Sequence, residues 1–446
     1  MNLKQYIPFY KRNLSIAIPI MLSQAGQVSV QLIDTIMVGH IGTTELAAAA
    51  FASSVFTIGF VFGMGFTFGI TPLVGSAFGE DNVNKLRALL KNSLILNLFM
   101  SFIIAGVLYS VSFFMKYMGQ PSDVLEQAIP YYRLLVYSMI PFLLFFTLKQ
   151  YLEGLANTKI AMYITLFANL VNIIFNYLFI FGKFGFPEMG LNGAGIATLI
   201  SRIIMPILIF TWFINHKNCS KFFKGINFKI IDFAAILKLF KYSLPIGLQI
   251  IIEVIAFSFG GIMMGWMGKI PLAAHQVALG LASFTFMIAT GIGSATTIRV
   301  SFQLGAKQFK EMRLATFASL HIILAYMFLT AIIFFSLRNY LPLLFSKDPE
   351  LIALASNLLL FAAIFQIVDG VQLVSISALR GLSDVKYPLY ASAIIYGIIS
   401  LGTSYIFAFT LNFGPQGIWI GFVTGLLLAS ILFIKRFNKL SKAYIK

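Results

Sequence analysis

The chain has 446 residues, 59% of them hydrophobic and only 11% charged, with a mean hydropathy of +0.89. Soluble domains run near 45–50% apolar and about 25% charged, so a water-soluble globular domain is excluded. The formal net charge of +17 would suit nucleic acid, but the basic runs lack interleaved aromatics and a soluble domain to present them, which excludes that class too.

Apolar runs long enough to cross a hydrocarbon core about 30 Å thick recur along the chain. They lie near 14–38, 46–73, 92–115, 130–151, 160–181, 190–214, 240–266, 272–300, 315–337, 353–378, 386–410 and 416–434. The expectation is an all-α membrane protein of twelve transmembrane helices. The opening MNLKQYIPFYKRN is basic, yet the run after it is too long for a signal h-region and no small-residue cleavage site follows, so it reads as an uncleaved first span.

Span 1 carries Gln24, Gln27, Gln31 and Asp34, whose spacing of three, four and three places them on one helix face. Span 5 carries Asn169, Asn172 and Asn176, again on one face. Counting about 1.5 Å per residue puts Asn176 at the depth of Asp34, so that the two line one cavity. Span 7 aligns Gln249 with Glu253, and span 10 aligns Gln366, Asp369 and Gln372, with the two acids within about one helical turn in depth. Of fifteen acidic residues only Asp34, Glu253 and Asp369 fall well inside spans, while Glu153 sits at a helix end.

A carboxylate at a helix centre costs about 3 kcal/mol on insertion scales, and such a residue is kept to bind a cation or relay protons. Ion pairing is the competing explanation, with Arg133, Arg202 and Arg299 as the cations in or near spans; the asparagines equally suit interhelical hydrogen bonding. His40, His216, His275 and His321 are scattered and read as loop or packing residues, His275 in AAHQV being nearest a cavity. The single Cys219 allows no internal disulfide, and no Cys/His spacing resembles a metal site.

Residues 19–87 align without a gap on 245–313 at a constant offset of 226, matching Pro19 with Pro245, Met37 with Met263, Gly65 with Gly291 and Arg87 with Arg313. Each half therefore holds six spans, and because six is even the repeat is parallel, with its pseudo-twofold axis along the membrane normal. The polar, basic stretch from Asn215 to Lys241 suits a linker, which sets an N-lobe of residues 1–225 and a C-lobe of residues 226–446.

Basic residues cluster before span 1 (Lys4, Lys11, Arg12), after span 2 (Lys85, Arg87, Lys91), after span 6 (Lys217, Lys221, Lys224, Lys229, Lys238, Lys241), after span 8 (Lys307, Lys310, Arg313) and at the end (Lys435, Arg436, Lys439, Lys442, Lys446). The alternate loops carry few, so the positive-inside rule places both termini in the cytoplasm.

Paired carboxylates out of water need a cation or proton to neutralise them, so competing positive ligands exclude one another. If lobe closure requires a neutralised site, the result is antiport. The membrane potential supplies about 2.3 kcal/mol per charge per 100 mV, and no GxxxxGK[ST] loop for ATP is present.

QLIDTIMVGHIG at 31–42, VGSAFGEDN at 74–82, NLVNIIFNYLFIFGKFG at 169–185, GLQIIIEVIAF around Glu253, AAHQV at 273–277, and QIVDGVQLV with ALRGLSD within 366–384 carry a resemblance over nearly the whole chain. The chain resembles the multidrug and toxic compound extrusion (MATE) family, in its NorM-like bacterial branch. The resemblance implies an inner-membrane antiporter that exports small organic cations, using Na+ or H+ as coupling ion; the further expectations are that it is not an enzyme, needs no cofactor and acts as a monomer. It implies that Glu253 and Asp369 bind the coupling cation, and that Asp34, Asn172 and Asn176 form a first-lobe site for proton, cation or substrate. Some relatives bend span 1 at a central proline, where this chain has Ala25-Gly26, and some have a span-5 acid where it has Asn176. A flippase or exporter of lipid-linked or polar metabolites is the nearest alternative, but its cavity would call for cations to hold phosphate.

Overall fold

The computed structural model describes residues 3–228 and 231–445; Lys229 and Lys446 of the basic clusters lie outside the described residues. Twelve helices are long and apolar enough to cross a membrane, as the hydropathy pattern predicts. They are α1 (Lys4–Gly39), α2 (Thr43–Gly79), α3 (Val83–Val111), α4 (Ser122–Gly154), α5 (Lys159–Ile180) and α6 (Gly190–Asn215). The second set is α7 (Phe233–Trp266), α8 (Lys269–Gly305), α9 (Phe309–Leu337), α10 (Pro349–Gly381), α11 (Lys386–Thr410) and α12 (Pro415–Ala443). Helices satisfy every backbone group within the segment, which is what a hydrocarbon medium demands.

Two compact units result, Leu22–Gly247 and Met1–Met21 with Leu248–Lys446. The expected boundary near Gly225 differs from this division. The first part of α1 packs with the second half of the chain: Asn13 Nδ2 donates to the Ala315 carbonyl and to Ser319 Oγ at 2.9 Å each, and Tyr10 OH hydrogen-bonds His321 Nδ1 at 2.8 Å. Reciprocally, the first part of α7 belongs with the first half, where a Cβ on Gly69 would lie 2.7 Å from Ser243 Cα. The two break points, Met21/Leu22 and Gly247/Leu248, are separated by the same 226 residues as the sequence repeat.

Within each unit the repeat reproduces its packing. In Leu22–Gly247 the central α4 packs on α2, α3 and α6, and α5 packs on α6; in the other unit α10 packs on α8, α9 and α12, and α11 on α12. Close approaches coincide. Gly154 sits against Val74 and the Thr71 carbonyl, and Gly381 against Val300 and the Thr297 carbonyl, because a side chain at either position would meet backbone at 3.1 Å. Thr71 Oγ1 donates to Gln150 Oε1 at 2.6 Å, and Thr297 Oγ1 to the Ser377 carbonyl at 2.9 Å. The helix α11 differs from its counterpart α5, because it contains two widened π-helical stretches, Ile395–Ser400 and Ile406–Thr410. Such turns aim side chains where a regular α-helix would not.

Candidate cation sites in the two units

In the unit Leu22–Gly247, the polar faces of α1 and α5 meet. Gly26 allows this, since a Cβ there would lie 2.7 Å from Leu166 Cδ2 and 3.1 Å from Asn169 Nδ2. Asn176, fully buried, donates from Nδ2 to Asp34 Oδ1 at 2.5 Å and to Asn172 Oδ1 at 3.2 Å. Asn172 Nδ2 in turn donates to Thr198 Oγ1 on α6 at 3.4 Å. Asp34, Asn172 and Asn176 are thus joined in one chain of hydrogen bonds. Asn176 Oδ1 and Asn169 Nδ2 are enclosed with no protein partner.

The charged neighbour of Asp34 is Arg202 on α6, with Tyr131 beside both. The guanidinium does not close an ion pair within 4 Å; it donates from Nη1 to Ser138 Oγ at 2.8 Å. It also lies 4.8, 5.2 and 5.6 Å from the ring centres of Phe142, Phe60 and Phe56, a cation–π cradle that holds it near the acid. Of the other cations weighed from sequence, Arg133 stacks on Tyr109 and Phe113, and Arg299 keeps its Nε and Nη2 enclosed without a hydrogen-bond partner.

In the other unit α7 and α10 bring Glu253 and Asp369 into electrostatic contact. Gln372 Nε2 donates to Glu253 Oε1 at 2.9 Å, fixing one face of the half-buried carboxylate. Asp369 is buried at 8% exposure, and among the described residues no side chain donates to it. One turn earlier on α10, Gln366 Oε1 accepts from Thr285 Oγ1 of α8, and Tyr326 OH donates to the Thr285 carbonyl at 3.2 Å. Among the described residues the ion pairs within 4 Å are Lys85–Glu80, Lys149–Glu153 and Arg436–Asp384, so none of the three intramembrane acids is neutralised directly. Two carboxylates in electrostatic contact, one of them held by the Gln372 amide, suit a hard cation or a proton.

Two members of this cluster were not found from sequence. Arg380, in the last turn of α10, donates from Nη2 to Gln249 Oε1 and is the charged neighbour of Glu253. Tyr396, 2% exposed in the first π-helical stretch of α11, faces Glu253, Asp369 and Gln372. His275 is buried away from these acids in an aromatic packing site, with ring centres of Trp419 and Phe422 at 5.8 and 6.3 Å. Among the remaining histidines, His216 stacks on Trp212 at 4.4 Å and His40 hydrogen-bonds the Ile36 carbonyl.

Comparison with known proteins follows the same division of the chain. A sequence profile described as MatE matches residues 19–178 and again 245–406, the two halves of the repeat. "Probable multidrug resistance protein NorM" of Agrobacterium fabrum is 32% identical over 443 residues, covering 98% of this chain and 95% of that protein. "Multidrug resistance protein MdtK" of Yersinia pseudotuberculosis is 32% identical over 448 residues, covering 99% and 97%. In fold, the crystal structure of the eukaryotic MATE transporter AtDTX14 is similar at a TM-score of 0.89 and 20% identity, over 98% of each chain. The repeated profile match and near full-length identity to these relatives place the chain in the MatE family of membrane transporters.

Proposed function

We propose that the chain is a secondary active multidrug efflux antiporter, which exports small organic cations in exchange for Na+ or H+ by alternating access. The observation that carries this reading is the pair Glu253 and Asp369, two acids in electrostatic contact inside the membrane-spanning helices, neither closing an ion pair within 4 Å among the described residues. Two carboxylates in a low-dielectric medium with one guanidinium, Arg380, near Glu253 are left short of positive charge, so a mobile positive ligand completes the pair. The multidrug names of the 32% identical relatives support export of small organic molecules.

Asp34 with Asn172 and Asn176 supplies a second polar site, whose amide groups suit a proton, a cation or the polar edge of a substrate. Acid-lined sites disfavour anionic phosphate, which argues against export of lipid-linked sugars. The one-sided basic clusters support a multi-pass bacterial inner-membrane protein with cytoplasmic termini, and antiport needs only one chain, consistent with a monomer.

The test is ethidium export by purified protein in proteoliposomes. Glu253→Gln and Asp369→Asn are each expected to abolish export while the protein stays folded and membrane-inserted. Export at the wild-type rate by both variants would overturn the assignment of the site.

A further inference from the structure

The charges that face the acids differ between the two units. In Leu22–Gly247 one carboxylate, Asp34, has one guanidinium, Arg202, as its charged neighbour. In the other unit two carboxylates, Glu253 and Asp369, interact with each other, and one guanidinium, Arg380, is the charged neighbour of Glu253. A guanidinium keeps its proton at any physiological pH, so each is a permanent unit charge.

The position of Arg380 is fixed by geometry. Its Nη2 donates to Gln249 Oε1, and Gln249 is 2% exposed and lies one helical turn before Glu253 on the same face of α7. On α10, Arg380 follows Gln372 by about two turns, and Gln372 itself holds Glu253 at 2.9 Å. Helical side chains lean toward the N-terminus of their helix, so Arg380 leans back along α10 to reach Gln249 on α7. The guanidinium is therefore tethered to an amide one turn from Glu253. A direct ion pair would occupy the site; the tether leaves it open while contributing the charge.

We propose that Arg380 is a built-in counter-ion that sets the uptake of the Glu253–Asp369 pair at one monovalent cation per transport cycle. With both acids ionised, the cluster carries two negative charges and one fixed positive charge. One Na+, one proton or one monocationic substrate then completes neutrality, and a second would be in excess. The Asp34–Arg202 site holds one charge of each sign and does not enter the count at Glu253 and Asp369. A monovalent coupling ion exchanged for a monocationic substrate moves no net charge, so the membrane potential drops out and the concentration gradient drives export. The inference rests on the antiport reading above.

The experiment compares wild type, Arg380→Lys and Arg380→Gln in proteoliposomes with the potential clamped at zero by valinomycin and K+. For wild type and Arg380→Lys, about a tenfold gradient of Na+ or H+ is expected to sustain about a tenfold ethidium gradient, unchanged when about −100 mV is imposed, since each factor of ten is ~1.4 kcal/mol. Arg380→Gln, where two small ions enter but one bulky ethidium fills the site, is expected to sustain about a hundredfold gradient and to become sensitive to the potential.

If Arg380→Gln is folded but turns over too slowly, equilibrium binding of radioactive Na+, or proton release in sodium-free buffer, gives the count directly. One cation per chain is expected in wild type and Arg380→Lys, and two in Arg380→Gln. An unchanged ratio, or one or no cation bound by folded Arg380→Gln, overturns the counter-ion role. A wild type that binds neither ion and exports under neither gradient overturns the antiport reading itself.

Discussion

Glu253→Gln removes one charge with almost no change of shape. The amide oxygen that replaces Glu253 Oε1 still accepts from Gln372 Nε2, now 2.9 Å from the carboxylate, so the packing of α7 on α10 is retained. What is lost is the attraction between a unit negative charge and a bound cation. At a separation of about 4 Å and an effective dielectric of about 20, this is worth roughly 4 kcal/mol. That corresponds to roughly a thousandfold weaker binding of the coupling cation. Isothermal titration or isotope binding with detergent-purified protein measures the affinity, and ethidium export from proteoliposomes measures the consequence. Retained folding, judged by a single monodisperse elution peak and an unchanged helical circular dichroism signal, makes the loss interpretable. Cation affinity within about threefold of wild type would refute the electrostatic argument for the pair, because no charge of similar strength would then have been removed.

The Asp34–Asn176 contact is open to a double-mutant cycle. Asn176→Ala removes a donor to a charged acceptor, expected to cost about 1.5–3 kcal/mol, and much less when Asp34 is already Asn; thermal unfolding of the four proteins gives the coupling. Gly417→Ala would place a Cβ 2.4 Å from the Ala408 backbone nitrogen and 2.6 Å from its Cα, and should lower stability by at least ~1–3 kcal/mol, whereas Gly402→Ala, with nothing within 4 Å, should be tolerated. An unchanged unfolding temperature for Gly417→Ala would contradict the tight approach of α12 to α11. Outside the spans, burial tends to raise the carboxyl of Glu80, but the hydrogen bond and charge of Lys85, at 2.8 Å, outweigh it and hold it below its ordinary 4.5. Its contribution is therefore present at neutral pH and lost as pH falls below that value; the pair is partly exposed, so Glu80→Gln at pH 7 should change stability by at most about 1 kcal/mol.

The three intramembrane acids were legible in the sequence because each is costly in hydrocarbon and lies inside an uninterrupted apolar run. The pairing of Asp34 with Asn176 was also legible, since depth along two helices follows from residue counts and both polar faces show helical spacing. Arg380 was not, because it lies two residues beyond the apolar run read as 353–378 and looks like a loop residue; only its reach across to Gln249 on α7 brings it beside Glu253. Tyr396 is one of 18 tyrosines, and the π-helical turn that aims it at the cluster leaves no periodic signature. The division at Met21 and Gly247 was hidden for another reason. Both points fall within continuous helices, while the conspicuous change in composition near Gly225 marks a connection between helices rather than a break in packing.

Export is proposed to be driven by exchange for a cation held at Glu253 and Asp369. This coupling is tested most directly by ethidium export from ATP-free proteoliposomes, first under an inward Na+ gradient alone and then under an inward proton gradient alone. Export under at least one gradient, lost in Glu253→Gln, is the result predicted. No export under either, by folded wild-type protein, would contradict cation-coupled antiport.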